Sequence, residues 1–125
     1  MSCSCNKQTV VNLLQQVKET ITKPPGSYKS WVLIPRPENI DCMTELGFKF
    51  QDVRDVILGL SVEHYSEGPL FDKDIAGELW VFGKFLESKE VYIKLKLATS
   101  GSLKKVRVIS FHFANASIHY PFKNK

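Results

Sequence analysis

The sequence predicts an α+β domain, with N-terminal helices packed on one face of an antiparallel β-meander. Three observations carry this expectation. Val10, Leu13, Leu14, Val17 and Ile21 recur at the spacing of one helix face. Glu90-Val91-Tyr92-Ile93-Lys94-Leu95-Lys96-Leu97 alternates polar and apolar residues without a break, the period-two pattern of a half-buried strand. Stretches of high β-propensity flank it at residues 78–85 and 105–114, joined to it by Glu87-Ser88-Lys89 and Ser100-Gly101-Ser102.

The elements are taken from the N-terminus onward. Asn6 or Thr9 can cap the first helix, and Pro24-Pro25-Gly26 ends the segment after it. Trp31-Val32-Leu33-Ile34 reads as an edge strand or an extended segment, stopped by Pro35 and Pro37. Asn39 or Asp41 starts a short helix to about Leu46, with Gly47 as its C-terminal stop. Asp52 opens another helix through Val53, Val56, Ile57 and Leu60. Residues 62–75 read as a long polar loop, and such loops are often functional. A last short strand is expected at residues 118–122.

The 125 residues suit one domain, 1–125, with residues 1–8 and 119–125 expected to fray. No apolar run approaches a membrane span, and the polar N-terminus leads into no apolar signal segment, so a cytoplasmic protein with no membrane partner is expected. Cys3, Cys5 and Cys42 read as free thiols, with no Cys/His pair at zinc spacing. The net charge of +4 is unevenly spread: residues 38–78 carry a balance of −7 and residues 79–125 a balance of +7. That asymmetry points to a basic surface for a polyanion and an acidic surface elsewhere, or simply to solvated faces.

The meander locates the basic surface. Val91, Ile93, Leu95 and Leu97 face a core, so Tyr92, Lys94 and Lys96 face away. On the next strand Ile109, Phe111 and Phe113 are expected in the core, which puts Ser110 and His112 beside the lysines. The preceding strand is expected to add Trp80, Phe82 and Lys84 to that side. Lysines neutralise phosphates, aromatic rings stack unpaired bases, and a histidine moves protons near neutral pH. Metal-free RNA cleavage needs a base for the ribose 2′-OH, cations for the phosphoryl oxygens and an acid for the departing 5′ oxygen. Tyr92, His112 and Lys94 are the catalytic candidates, with no cofactor. The plainer readings are a structural histidine, edge-guarding lysines and a packing tyrosine. Glu63, Glu67, Asp72 and Asp74 match no metal motif, and Gly-rich phosphate loops and hydrolase elbows are absent.

A further pattern lies in the order of short motifs: Glu45-Leu46-Gly47, Val56-Ile57-Leu58-Gly59-Leu60-Ser61, Tyr65, Trp80, Val91-Tyr92-Ile93-Lys94 and Val108-Ile109-Ser110-Phe111. From about Val10 to Phe113 the chain resembles the MqsR-type mRNA interferase toxins of bacterial toxin–antitoxin modules. The resemblance implies a RelE/barnase-like fold, metal-independent endoribonuclease activity on mRNA, and a cognate antitoxin of helix-turn-helix type. It implies Tyr92 as the catalytic tyrosine. Lys84, Lys96, Trp80, Tyr65 and Arg107 are the candidate substrate contacts beside it. Three positions depart from the family pattern. His112 stands where the family has a catalytic lysine, Ser66 where it has a loop lysine, and Val81 where it has a glutamine. The alternative from another class is a module that binds RNA or a partner protein without turnover.

Overall fold

The computed structural model describes residues 6–26, 28–71 and 77–123. Helix α1 (Lys7–Thr22) starts at Asn6, whose side-chain Oδ1 accepts from the Thr9 amide at 2.9 Å, and buries the five apolar residues of its predicted stripe. Strand β1 (Trp31–Leu33) leads to α2 (Pro37–Leu46). Pro37 takes the first turn of α2, where its missing N–H costs nothing, so the helix begins before Asn39. Gly47 ends it at φ 71°, a left-handed geometry that favours glycine. In α3 (Phe50–Leu58) the Asp52 carboxylate accepts from the Lys49 amide and closes the N-terminus.

The predicted loop contains a strand. After a 3₁₀ turn (Val62–His64) comes β2 (Tyr65–Phe71), followed by β3 (Glu78–Leu86), β4 (Lys89–Ser100) and β5 (Leu103–Phe113). Two register shifts along the β2–β3 pair break the alternation that marks a strand in sequence, and Pro69 is tolerated because β2 is an edge. The sheet order is β1-β5-β4-β3-β2. The meander from β2 to β5 is antiparallel, while β1 pairs with β5 in parallel, so the sheet is mixed. Glu87 and Ser88, at φ 52° and 71°, form the tight β3–β4 hairpin turn.

The architecture is therefore α+β, with the three helices against one face of the sheet. The core gathers the α1 stripe, Val53, Ile57 and Leu60 with Trp80, Phe82, Val91, Ile93, Leu95, Val106, Val108 and Phe111. One correction concerns β5. A bulge lies where Lys94 pairs with Ser110 but Leu95 pairs with Val108, leaving Ile109 as the extra residue. Val106 and Val108 therefore join the core, and Ile109 does not.

Asn39, fully buried in α2, clamps this bulge. Its Nδ2 donates to the carbonyls of Ile34 (2.9 Å) and Ile109 (3.1 Å), and its Oδ1 accepts from the Phe111 amide (2.9 Å). The clamp returns β5 to register ahead of His112. No strand forms at residues 118–122. Residues 114–123 instead run as an irregular tail back toward β3 and β2. Within the described residues Lys7 and Gln8 are helical, and the tail is tied to β4 through Tyr120 and Glu90. Cys3, Cys5, Asp72 and Asp74 lie outside the described residues. No helix among the described residues is long and apolar enough to cross a membrane.

Candidate active site

Cross-strand register assembles the site on the sheet face away from the helices. Tyr92 sits opposite His112, and Lys94 opposite Ser110. The Tyr92 and His112 rings stack with centroids 5.3 Å apart and planes 17° from parallel. The Lys94 ammonium lies 5.9 Å from the centre of the Tyr92 ring. His112 Nδ1 is 3.1 Å from the Phe113 carbonyl. A carbonyl only accepts, so this bond places the proton of the neutral ring on Nδ1 and leaves Nε2 free to take another.

Two groups that the sequence does not single out as site residues complete the cleft. Glu67 comes from β2, where it pairs with Val81, and His119 comes from the tail. With Ser66, Tyr92, His112 and Asn115 they line a cleft of about 380 Å³. Burial first, and then the negative charge of Glu67, raise the Tyr92 pKa above that of a free phenol. Tyr92 is thus a hydroxyl donor at neutral pH and a poor base. Periodicity offers no signal for Glu67, because β2 is irregular, or for His119, because the tail has no repeat.

The substrate contacts expected from sequence divide. Arg107 shares the face of Tyr92 and pairs with Lys96, beyond the bulge. Lys96 shares that face too, but it is only 2% exposed and its Nζ has no hydrogen-bond partner among the described residues, so it is not presented to a phosphate. Trp80, Phe82 and Lys84 belong to the opposite face, because Gly83 and Val81 are the residues that pair with Tyr92 and Lys94. The unbroken apolar run at residues 79–82 carries no parity of its own. Trp80 and Phe82 are buried in the core, and Lys84 lines a separate cleft of about 240 Å³ with His64, Tyr120 and Lys123. Tyr65 is likewise buried. It stacks on Phe122, packs edge-on against Phe82, and donates its hydroxyl to the Gly68 carbonyl at 2.6 Å.

Among the described residues no group of three or more His, Cys, Asp or Glu side chains is arranged to hold a metal ion. A neutral aromatic donor, a histidine with a free ring nitrogen, a nearby ammonium and a carboxylate together suit proton transfer and the stabilisation of an oxyanion. The chain was compared with protein-family models, curated proteins and solved structures, and no match was found in any of the three.

Proposed function

We propose that the protein is a metal-independent endoribonuclease that cleaves single-stranded mRNA by attack of the ribose 2′-OH on the adjacent phosphorus. The observation that carries this reading is the stacked Tyr92–His112 pair with Lys94 beside it, at the wall of a cleft of about 380 Å³. His112 Nε2 takes the 2′-OH proton. The O2′–P bond forms, the P–O5′ bond breaks, and the products are a 2′,3′-cyclic phosphate and a 5′-hydroxyl. Tyr92, held protonated, donates to a non-bridging oxygen, and Lys94 offsets the charge that builds on the phosphoryl group.

The three departures from the family pattern come from positions far apart in the chain. Ser66 and His112, two of the three places where the sequence departs from the toxin family it resembles, line one cleft with Tyr92, and the third, Val81, pairs with Lys94. The departures thus lie around the site, where they leave either a rearranged set of catalytic groups or a site that has lost its activity. The same resemblance extends the reading to a toxin restrained by an antitoxin encoded beside it.

Incubating purified protein with a long RNA in EDTA tests the activity. Cleavage to cyclic-phosphate ends is expected, slowed by at least about 100-fold in His112→Ala. Intact RNA would overturn the reading, and salt-sensitive binding without cleavage would favour a non-catalytic RNA-binding module.

A further inference from the structure

The proposed reaction needs a proton for the departing 5′ oxygen, and the roles assigned to the sheet residues leave that step open. Lys94 is placed to offset phosphoryl charge, Tyr92 to bind the non-bridging oxygen, and His112 begins the reaction without the proton it must accept. The tail supplies the missing group. We propose that His119 is the general acid, carried over the cleft by residues 114–123 and set in place by Glu90. This rests on the RNA-cleavage reading and adds to it a second histidine and a positioning carboxylate.

The two residues flanking His119 are both fastened to one side chain. Glu90 Oε1 accepts from the Ile118 amide at 3.2 Å, and Glu90 Oε2 accepts from the Tyr120 hydroxyl at 2.7 Å. Glu90 lies two residues before Tyr92 on the same strand, so the carboxylate and the catalytic phenol share a face. One short, rigid stretch of β4 thereby fixes both Tyr92 and the residue pair that brackets His119.

The opposing strand is shaped for the same contact. Gly83 pairs with Tyr92, and a Cβ there would collide with the Tyr120 hydroxyl and lie 2.7 Å from Ile118 Cδ1. Only glycine leaves the hollow in which the tail is seated. Further along, Phe122 stacks on Tyr65 with ring centroids 5.3 Å apart, which anchors the far end of the tail. Burial and the Glu90 contact raise the Tyr120 pKa, so its hydroxyl remains a donor to that carboxylate throughout the neutral range.

His119 is itself exposed, and it lines the cleft that Tyr92, His112 and Glu67 line. An exposed imidazole in a substrate cleft, held by both sequence neighbours, has no packing role to explain its placement. In the reaction His112 Nε2 gains the 2′-OH proton while the His119 imidazolium gives its proton to O5′. The 5′-hydroxyl leaves, and the two rings end in exchanged protonation states.

The test uses the full chain and an RNA whose cleavage position has been mapped with the wild type. A second RNA carries sulfur in place of the bridging 5′ oxygen at that position, because a thiolate departs without protonation. His119→Ala is expected to slow the normal RNA by at least about 100-fold and to cleave the sulfur-bridged RNA at close to the wild-type rate. Glu90→Ala should show the same selective loss to a smaller degree, with partial recovery in Glu90→Gln, which keeps an oxygen acceptor. Normal cleavage of the oxygen-bridged RNA by His119→Ala would overturn the assignment. So would equal slowing of both RNAs, because that marks a binding or structural role. A wild type that cleaves no RNA at all removes the reading on which the assignment rests, a distinct result from an active wild type with an unaffected variant.

Discussion

The two faces of strand β4 are built on different terms. On one, Val91, Ile93 and Leu95 are buried against the helices, paired with Lys84, Phe82 and Trp80 of β3 and with Phe113, Phe111 and Val108 of β5. On the other, Glu90, Tyr92, Lys94 and Lys96 each meet a particular partner or none. The apolar face gains from area removed from water and tolerates any close-packed arrangement. The polar face gains little from burial and depends on directed contacts. Lys96 shows the cost most plainly, as a buried ammonium with no hydrogen-bond partner among the described residues.

Substitutions should separate the two faces, and the largest effect belongs to the core. Phe82→Ala removes a fully buried ring from the centre of the sheet. It should lower the unfolding free energy by about 3–5 kcal/mol in urea denaturation, with any loss of cleavage following the loss of folded protein. Asn39→Ala comes next. It leaves the Phe111 amide and the carbonyls of Ile34 and Ile109 without the side chain that pairs them. A loss of about 2–3 kcal/mol is expected. Because the bulge clamp precedes His112, this variant should also cleave more slowly at full folding, which would tie the bulge to the site. Lys96→Met should have the opposite sign, raising stability by about 1–3 kcal/mol as a buried ammonium with no hydrogen-bond partner among the described residues is removed. A loss of stability there would show that the polar face contributes to the fold as the apolar face does.

The smallest effects are those of pH. Burial, with the charge of Glu45 adding to it, pushes the Cys42 thiol up to about 11 from its ordinary 9.0. The folded state therefore holds a proton that the unfolded chain releases. Its contribution is complete below pH 9 and is lost as pH rises through about 11. His64 behaves in the reverse sense. Burial, and then the nearby Lys84 ammonium, lower its pKa from 6.5, and its Nδ1 already accepts from the Ser61 amide at 3.0 Å. Its contribution is complete above pH 6.5 and falls away as pH drops through the lowered value. Denaturation series should find the alkaline limb flattened in Cys42→Ala and the acid limb flattened in His64→Gln.

The sequence speaks clearly where a single period runs unbroken. The α1 stripe and the alternation along β4 specify those elements and their faces, and the same alternation puts Tyr92 and Lys94 together. Elsewhere the period fails for physical reasons. The bulge at Ile109 shifts parity within β5, so His112 falls on the polar face as expected while Ile109 leaves the core. Residues 79–82 are apolar throughout, and only the pairing of Gly83 with Tyr92 decides that Trp80 and Phe82 point inward. Strand β2 pairs through two register shifts, which hides both the strand and the approach of Glu67 to Tyr92. The tail has no repeat at all. Its position depends on Gly83 and on Glu90, which is 30 residues from Tyr120 in sequence, and no local pattern records such a pairing.

The sharpest test of this division of labour between the two faces is one paired measurement on His112→Ala. Its unfolding free energy and its rate of RNA cleavage in EDTA should be determined on the same preparation. Stability within about 1 kcal/mol of the wild type is expected, since the side chain contributes one partly buried hydrogen bond and one ring contact. The cleavage rate should fall by at least about 100-fold. An unchanged rate, or a rate that falls only in proportion to unfolded protein, would contradict that division.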